Sequence, residues 1–141
     1  MHDCIFCKIV KGGIPSSRVF ENDRVLAILD IRPLAPGHTL VLPKGHFPAL
    51  PDMPPEEMAA LGRVLPMIGK AVQAATGAEG FNVLQSNGEA AGQEVFHVHF
   101  HIVPRRKDDG LGYRWNAGSY TGDEMKSWLE KIRQHLPGGI S

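Results

Sequence analysis

The heptad His97-Val98-His99-Phe100-His101-Ile102-Val103 sets three imidazoles two residues apart. Along an extended strand successive side chains alternate between faces, so the three histidines share one face while Val98, Phe100 and Ile102 share the other. One face reads as core and the other as reactive. With an unperturbed pKa of about 6.5, imidazole is largely neutral at cellular pH and can attack an electrophile, while a protonated neighbour can offer charge to phosphate oxygens. A rise of about 3.3 Å per residue puts the outer two rings roughly 13 Å apart, too far to grip one metal ion together. The three need not share a task. A zinc hydrolase with His97 and His99 as joint ligands would want a nearby acid as general base, and none adjoins them in sequence.

The elements that must carry these side chains follow from turn signals and periodicity. With 141 residues, 43% of them hydrophobic, the chain reads as a single domain spanning 1–141. Lys plus Arg and Asp plus Glu number 15 each, so no general field draws it to nucleic acid or an anionic membrane. No membrane-spanning apolar run and no secretory leader are evident, which points to the cytoplasm. β-Branched and apolar runs predict strands at 18–21 and 25–31 around the turn pair Asn22-Asp23, then at 38–42 before Pro43. Two more are expected at 81–85 and 95–103, the latter carrying the triad. From Pro54, apolar residues at Met58, Leu61, Leu65, Ile68 and Val72 fit a helix ending before Gly77, with Pro66 expected to bend it. Thr121 and Glu124 fit a capping box, and Met125, Trp128, Leu129, Ile132 and Leu136 form one stripe of a C-terminal helix.

Asn87 and Gln93 flank the polar loop that leads into the triad and are candidates to hold a phosphate and its leaving group. The loop glycines alone would mean only a turn. The arrangement His-φ-His-φ-His-φ-φ is the signature of the histidine-triad family, and "HVHFHIV" matches it at every position. "CIFCKIVKGGIPSSRVFENDRVLAILDIRPLAPGHTLVLPKGH" resembles that family's N-terminal half and "NGEAAGQEVFHVHFHIVPR" its active-site half. The resemblance covers residues 4–105 and leaves 106–141 as a variable segment with a helix. It implies an α+β fold, an antiparallel sheet of about five strands with a main helix packed on it, and a homodimer. The strand count above agrees with it.

The resemblance further implies cleavage at the α-phosphate of a purine nucleotide through a nucleotidyl-histidine. His99 matches the nucleophile, and His101 and His38 match the phosphate-pocket histidines. Asp30 matches the ribose-binding acid, with Phe6, Ile9, Ile28 and Ile31 offering an apolar slot for the base; those four read equally well as core. Glu94 stands where some branches carry a hydroxyl residue, which leaves the leaving group open between phosphoramidates and dinucleoside polyphosphates. A nucleotide-binding regulatory or scaffold protein with negligible turnover is the alternative from another class.

Cys4, Cys7, His46 and His97 remain outside that chemistry. Cys-x-x-Cys supplies two thiolates from one turn, half of a tetrahedral site. His38 and His46 lie at opposite ends of the strand that ends at Pro43. If it runs antiparallel to the triad strand, His38 nears His101 and His46 nears His97. A closed Cys₂His₂ site for a structural zinc is the resulting expectation, similar to that of family members with this cysteine pair.

Overall fold

Asn22 shows why the first hairpin forms where it does. Its Oδ1 accepts from the amides of Arg24 at 2.9 Å and Val25 at 2.8 Å, which closes the turn between β1 (Arg18–Glu21) and β2 (Val25–Leu29). β3 (Thr39–Pro43), β4 (Gly80–Leu84) and β5 (Phe100–Arg105) complete a five-stranded sheet in the order β1-β2-β3-β5-β4. All its pairings are antiparallel. The computed structural model describes residues 3–112 and 116–138.

The sheet is covered on both faces, which accounts for the uninterrupted burial of Val25 to Ile28 on β2. On one face Val25, Ala27, Val41, Phe100 and Ile102 pack with Leu61, Ile68 and Val72 of α2 (Pro55–Thr76). That helix starts on the Pro54-Pro55 pair, continues through Pro66, and ends at Gly77, whose φ of 68° provides the left-handed cap. Pro66 does not break it.

On the opposite face Leu26, Ile28, Leu40 and Leu42 meet Phe6 and Ile9 of α1 (Ile5–Val10). Burying those two side chains contributes about 1.5–3 kcal/mol each, enough to dock a helix of six residues that has no stability alone. The sequence reading contains no helix here. Cys4 is its N-cap, with Sγ accepting from the Cys7 amide at 3.4 Å.

The triad strand is shorter than expected. Regular pairing begins at Phe100, and His97 lies in a bend, because Val98 donates its amide to the Phe47 carbonyl at 2.7 Å, in the loop beyond β3. The alternation nevertheless holds: Val98, Phe100 and Ile102 are buried in the α2-side core. His101 pairs with Leu40 and Leu84, and directly opposed residues share a face, so it stands on the α1 side.

By its internal contacts the chain divides into two compact units, Met1–Leu111 and Gly112–Ser141. In the second, α3 covers Glu124–Gln134. Glu124 Oε1 accepts from both the amide and the hydroxyl of Thr121, each at 2.8 Å, so the return half of the expected capping box forms. The stripe from Met125 to Leu136 is exposed.

Candidate functional site

The turn Ala35-Pro36-Gly37 delivers His38 to the start of β3. Gly37 has φ +95°, and a Cβ there would stand 2.5 Å from Thr76 Cγ2, so any other residue would strain the backbone and displace the end of α2. His38 is buried, and its Nδ1 accepts the Leu34 amide at 3.0 Å. An amide can only donate, so the hydrogen of the neutral ring sits on Nε2. Nε2 lies 2.9 Å from Nδ1 of His101, which must then accept and carry its own hydrogen on Nε2. His99 is held the other way round: its Nδ1 donates to the His97 carbonyl at 2.8 Å, leaving the Nε2 lone pair free. A free lone pair and an N–H donor therefore occupy neighbouring rings whose centroids are 5.0 Å apart.

Electrostatics keeps these rings neutral. Burial lowers His99 below the ordinary imidazole range, opposed by its bond to the His97 carbonyl and by Asp30. Burial, then the neighbouring His99 and His38, push His101 down to about 4. His38 is lowered by burial despite Asp30, whose Oδ2 is 3.6 Å from its Nε2. The protonated phosphate-binding neighbour envisaged from sequence is thus absent in the free protein, and His101 offers a neutral N–H instead.

His99 and His101 border a cavity of about 540 Å³. Phe6, Ile9, Ile28, Asp30 and Ile31 line it, and Phe6, Ile9 and Ile28 also belong to the buried core. The Phe6 ring meets His99 edge-on, with centroids 5.0 Å apart. Asp30 Oδ1 accepts the Arg32 amide at 2.8 Å, which fixes the carboxylate at the cavity rim. Pro15, Ser16 and Leu40 also line it, which nothing in their sequence spacing signalled, and so does Glu94, which the family resemblance singled out.

The side-chain amides Asn87 and Gln93, expected from sequence to hold a phosphate, take a different place. Gln93 is buried: its Oε1 accepts from Gly88 at 2.8 Å, and its Nε2 donates to the carbonyls of Pro48 at 2.6 Å and Val95 at 3.0 Å. Asn87 Oδ1 accepts the Leu50 amide at 2.7 Å. Neither lines the cavity; both tie the loop down beside it.

Cys4, Cys7, His46 and His97 converge with one ligand atom each, all within 4.8 Å of one another. Bonds of about 2.3 Å to sulfur and about 2.05 Å to nitrogen imply tetrahedral edges of roughly 3.5 Å from S to N and roughly 3.3 Å between nitrogens. His97 Nδ1 is 3.4 Å from Cys4 Sγ, 3.6 Å from Cys7 Sγ and 3.3 Å from His46 Nδ1, and Cys7 Sγ is 3.3 Å from His46 Nδ1. The far nitrogen of His97 donates to the Pro43 carbonyl at 2.8 Å, which directs its lone pair into the cluster. The donor set and spacing fit Zn²⁺. As the antiparallel β3–β5 register requires, His38 meets His101 at one end and His46 meets His97 at the other. A second group, Asp30, His38 and His101, also lies within metal-binding spacing. The hydrogen on His38 Nε2 points into that group, so its tautomer opposes a cation there.

Comparison with known proteins decides the family. The HIT domain profile matches residues 11–108. The chain belongs to the HIT domain family. This HIT protein is 47% identical to the adenylylsulfatase HINT3 of Arabidopsis thaliana over 141 aligned residues, covering 96% of this chain and 70% of that one. It is 45% identical to the adenosine 5'-monophosphoramidase hnt1 of Schizosaccharomyces pombe, covering 94% and 98%. Among solved structures, a HIT family protein from Bacillus subtilis superposes with a TM-score of 0.91 at 39% identity, covering 96% and 98%. A zinc-bound histidine triad protein from Mycobacterium smegmatis superposes at 0.74 with 44% identity, covering 83% and 85%.

Proposed function

We propose that this HIT protein is a hydrolase that cleaves purine nucleotides at the α-phosphate through a nucleotidyl intermediate on His99. The observation that carries this is the opposed protonation of the two neighbouring rings. Nε2 of His99 is a free lone pair beside the cavity, while Nε2 of His101 carries the hydrogen. In the first step the His99 lone pair bonds phosphorus and the leaving group departs with the electrons of its own bond, an amine taking up a proton from solvent as it leaves. In the second step the oxygen of water bonds phosphorus, the phosphorus–nitrogen bond breaks with its electrons returning to the ring, and the proton lost by the water passes to solvent, releasing the nucleoside monophosphate. His101 donates to the phosphate oxygens, and His38 holds it in the required tautomer.

Asp30 is assigned the ribose hydroxyls, and Phe6, Ile9, Ile28 and Ile31 the base; Asn87 and Gln93 act by holding the loop. Two relatives are named for activities on adenylyl compounds, which supports an adenine nucleotide. Cys4, Cys7, His46 and His97 would hold a structural zinc, closed to substrate because all four positions are filled by protein; the zinc-bound relative supports this. Thiolate ligands suit a reducing compartment such as the cytoplasm, and among the described residues no helix is long and apolar enough to cross a membrane. A homodimer is part of the same reading. β4 is a sheet edge, and Val83 and Leu84 on it are exposed, which suits pairing with a second copy.

Turnover of adenosine phosphoramidate and of diadenosine tetraphosphate tests the reading. Faster release of AMP from the phosphoramidate is expected. Faster cleavage of the tetraphosphate would assign the protein to dinucleoside polyphosphates. Tight binding of both without turnover would make it a regulatory nucleotide binder.

A further inference from the structure

We propose that Glu94 selects the leaving group, rejecting sulfate and phosphate and favouring amines that carry a second, cationic group. This rests on the hydrolytic reading above. Beside the nucleotide cavity lies a second one of about 440 Å³, against Asp3, Cys4, His46 and Phe96. The two cavities share three lining residues, Ile5, Glu94 and Val95. The shared wall therefore carries one formal charge, the Glu94 carboxylate. Glu94 is exposed, and among the described residues its carboxylate takes part in no hydrogen bond or ion pair.

Asp30, Arg32, His99 and His101 all belong to the first cavity alone, and a leaving group that runs from His99 along the shared wall would meet Glu94. Among the described residues no lysine or arginine lines the second cavity, and the other formal charge in it is a second acid, Asp3. A departing sulfate or phosphate meets like charge at the exposed Glu94 carboxylate, weakened by solvent screening, whereas an ammonium on the leaving amine meets opposite charge. A carboxylate here is therefore opposed to one of the two named activities, release of sulfate, and compatible with the other, release of an amine.

Wild-type protein and Glu94→Gln separate the cases with three adenylyl substrates: adenylyl sulfate, an alkylamine phosphoramidate, and an aminoalkylamine phosphoramidate of equal length. The wild type should favour the aminoalkyl over the alkyl compound about threefold in kcat/KM, the scale of one exposed ion pair. Glu94→Gln should remove that preference and raise adenylyl sulfate relative to the alkyl compound by a similar factor. Unchanged ratios in Glu94→Gln would overturn the assignment. The same ratios measured as Kd in a His99→Asn background, where the scissile bond stays intact, keep the two questions apart. If the wild type turns over none of the three compounds but the charge preference persists in binding, the hydrolytic reading fails and Glu94 keeps its role. If turnover is normal and neither kcat/KM nor Kd responds to Glu94→Gln, the reading stands and Glu94 loses its role.

Discussion

His99→Asn is expected to lower kcat by on the order of 10³-fold or more while leaving the fold and nucleotide affinity nearly intact. Asn can keep the local structure, because its side-chain amide can donate to the His97 carbonyl as the Nδ1–H of His99 does at 2.8 Å. What it lacks is a nucleophilic nitrogen, so the loss falls on the chemical step. The ring's environment supports assigning that step to it. Burial keeps His99 unprotonated at neutral pH, and the hydrogen it does carry is tied to a carbonyl. His101 cannot take over as it stands, since its Nδ1 accepts from His38 and its Nε2 bears the hydrogen. Steady-state kinetics with titration of AMP binding checks this; a variant retaining a tenth of wild-type kcat would remove His99 from the chemistry.

Cys4→Ser and Cys7→Ser are each expected to release about one zinc per chain and lower the melting temperature. With free metal a few hundredfold above its Kd, binding to the folded state contributes about 3 kcal/mol, and its loss would lower Tm by roughly 10 °C for a protein of this size. The effect on activity should be indirect. Phe6 lies between the two cysteines, on the helix that Cys4 caps, and its ring packs edge-on against both His97 of the Cys₂His₂ cluster and His99, the proposed nucleophile. Loosening α1 should raise KM by disturbing the base slot while kcat at saturation holds. Metal analysis, calorimetry and kinetics on the three proteins measure these separately. Wild type purified without chelators and free of zinc would contradict the assignment, as would a kcat that collapses on gentle metal removal while the protein remains folded.

Much of this was legible in the sequence because a few strong local signals agreed. Asn22-Asp23 marks a turn that the Asn22 side chain closes, and the spacing from Leu61 to Val72 faces one side of the sheet as helical periodicity requires. The separation of two histidine sets followed from strand direction alone. The same local rules fail where distant backbone intervenes. Alternation extended the triad strand back to Val95, but the Phe47 carbonyl captures the Val98 amide and bends the chain at His97. Gln93 and Asn87 have the side chains of ligand-binding residues, and whether an amide faces a substrate or a loop carbonyl depends on contacts such as Pro48, 45 residues away. The hydrogen that sets the tautomer of His38 comes from the Leu34 backbone, which no side-chain pattern can announce. α1 was invisible because six residues carry too little periodicity, and burial rather than propensity holds it.

The central claim is that phosphorus becomes bonded to one particular nitrogen, and trapping that species tests it most directly. Wild-type protein mixed briefly with adenosine phosphoramidate, quenched in base and digested without exposure to acid should carry an adenylyl mass increment on the peptide containing the triad. Acid is avoided because a phosphorus–imidazole bond is labile in it. Fragmentation should place the increment on His99, with none on His101 and none anywhere in His99→Asn. An adduct mapped to His101, or one that persists in His99→Asn, would contradict the account.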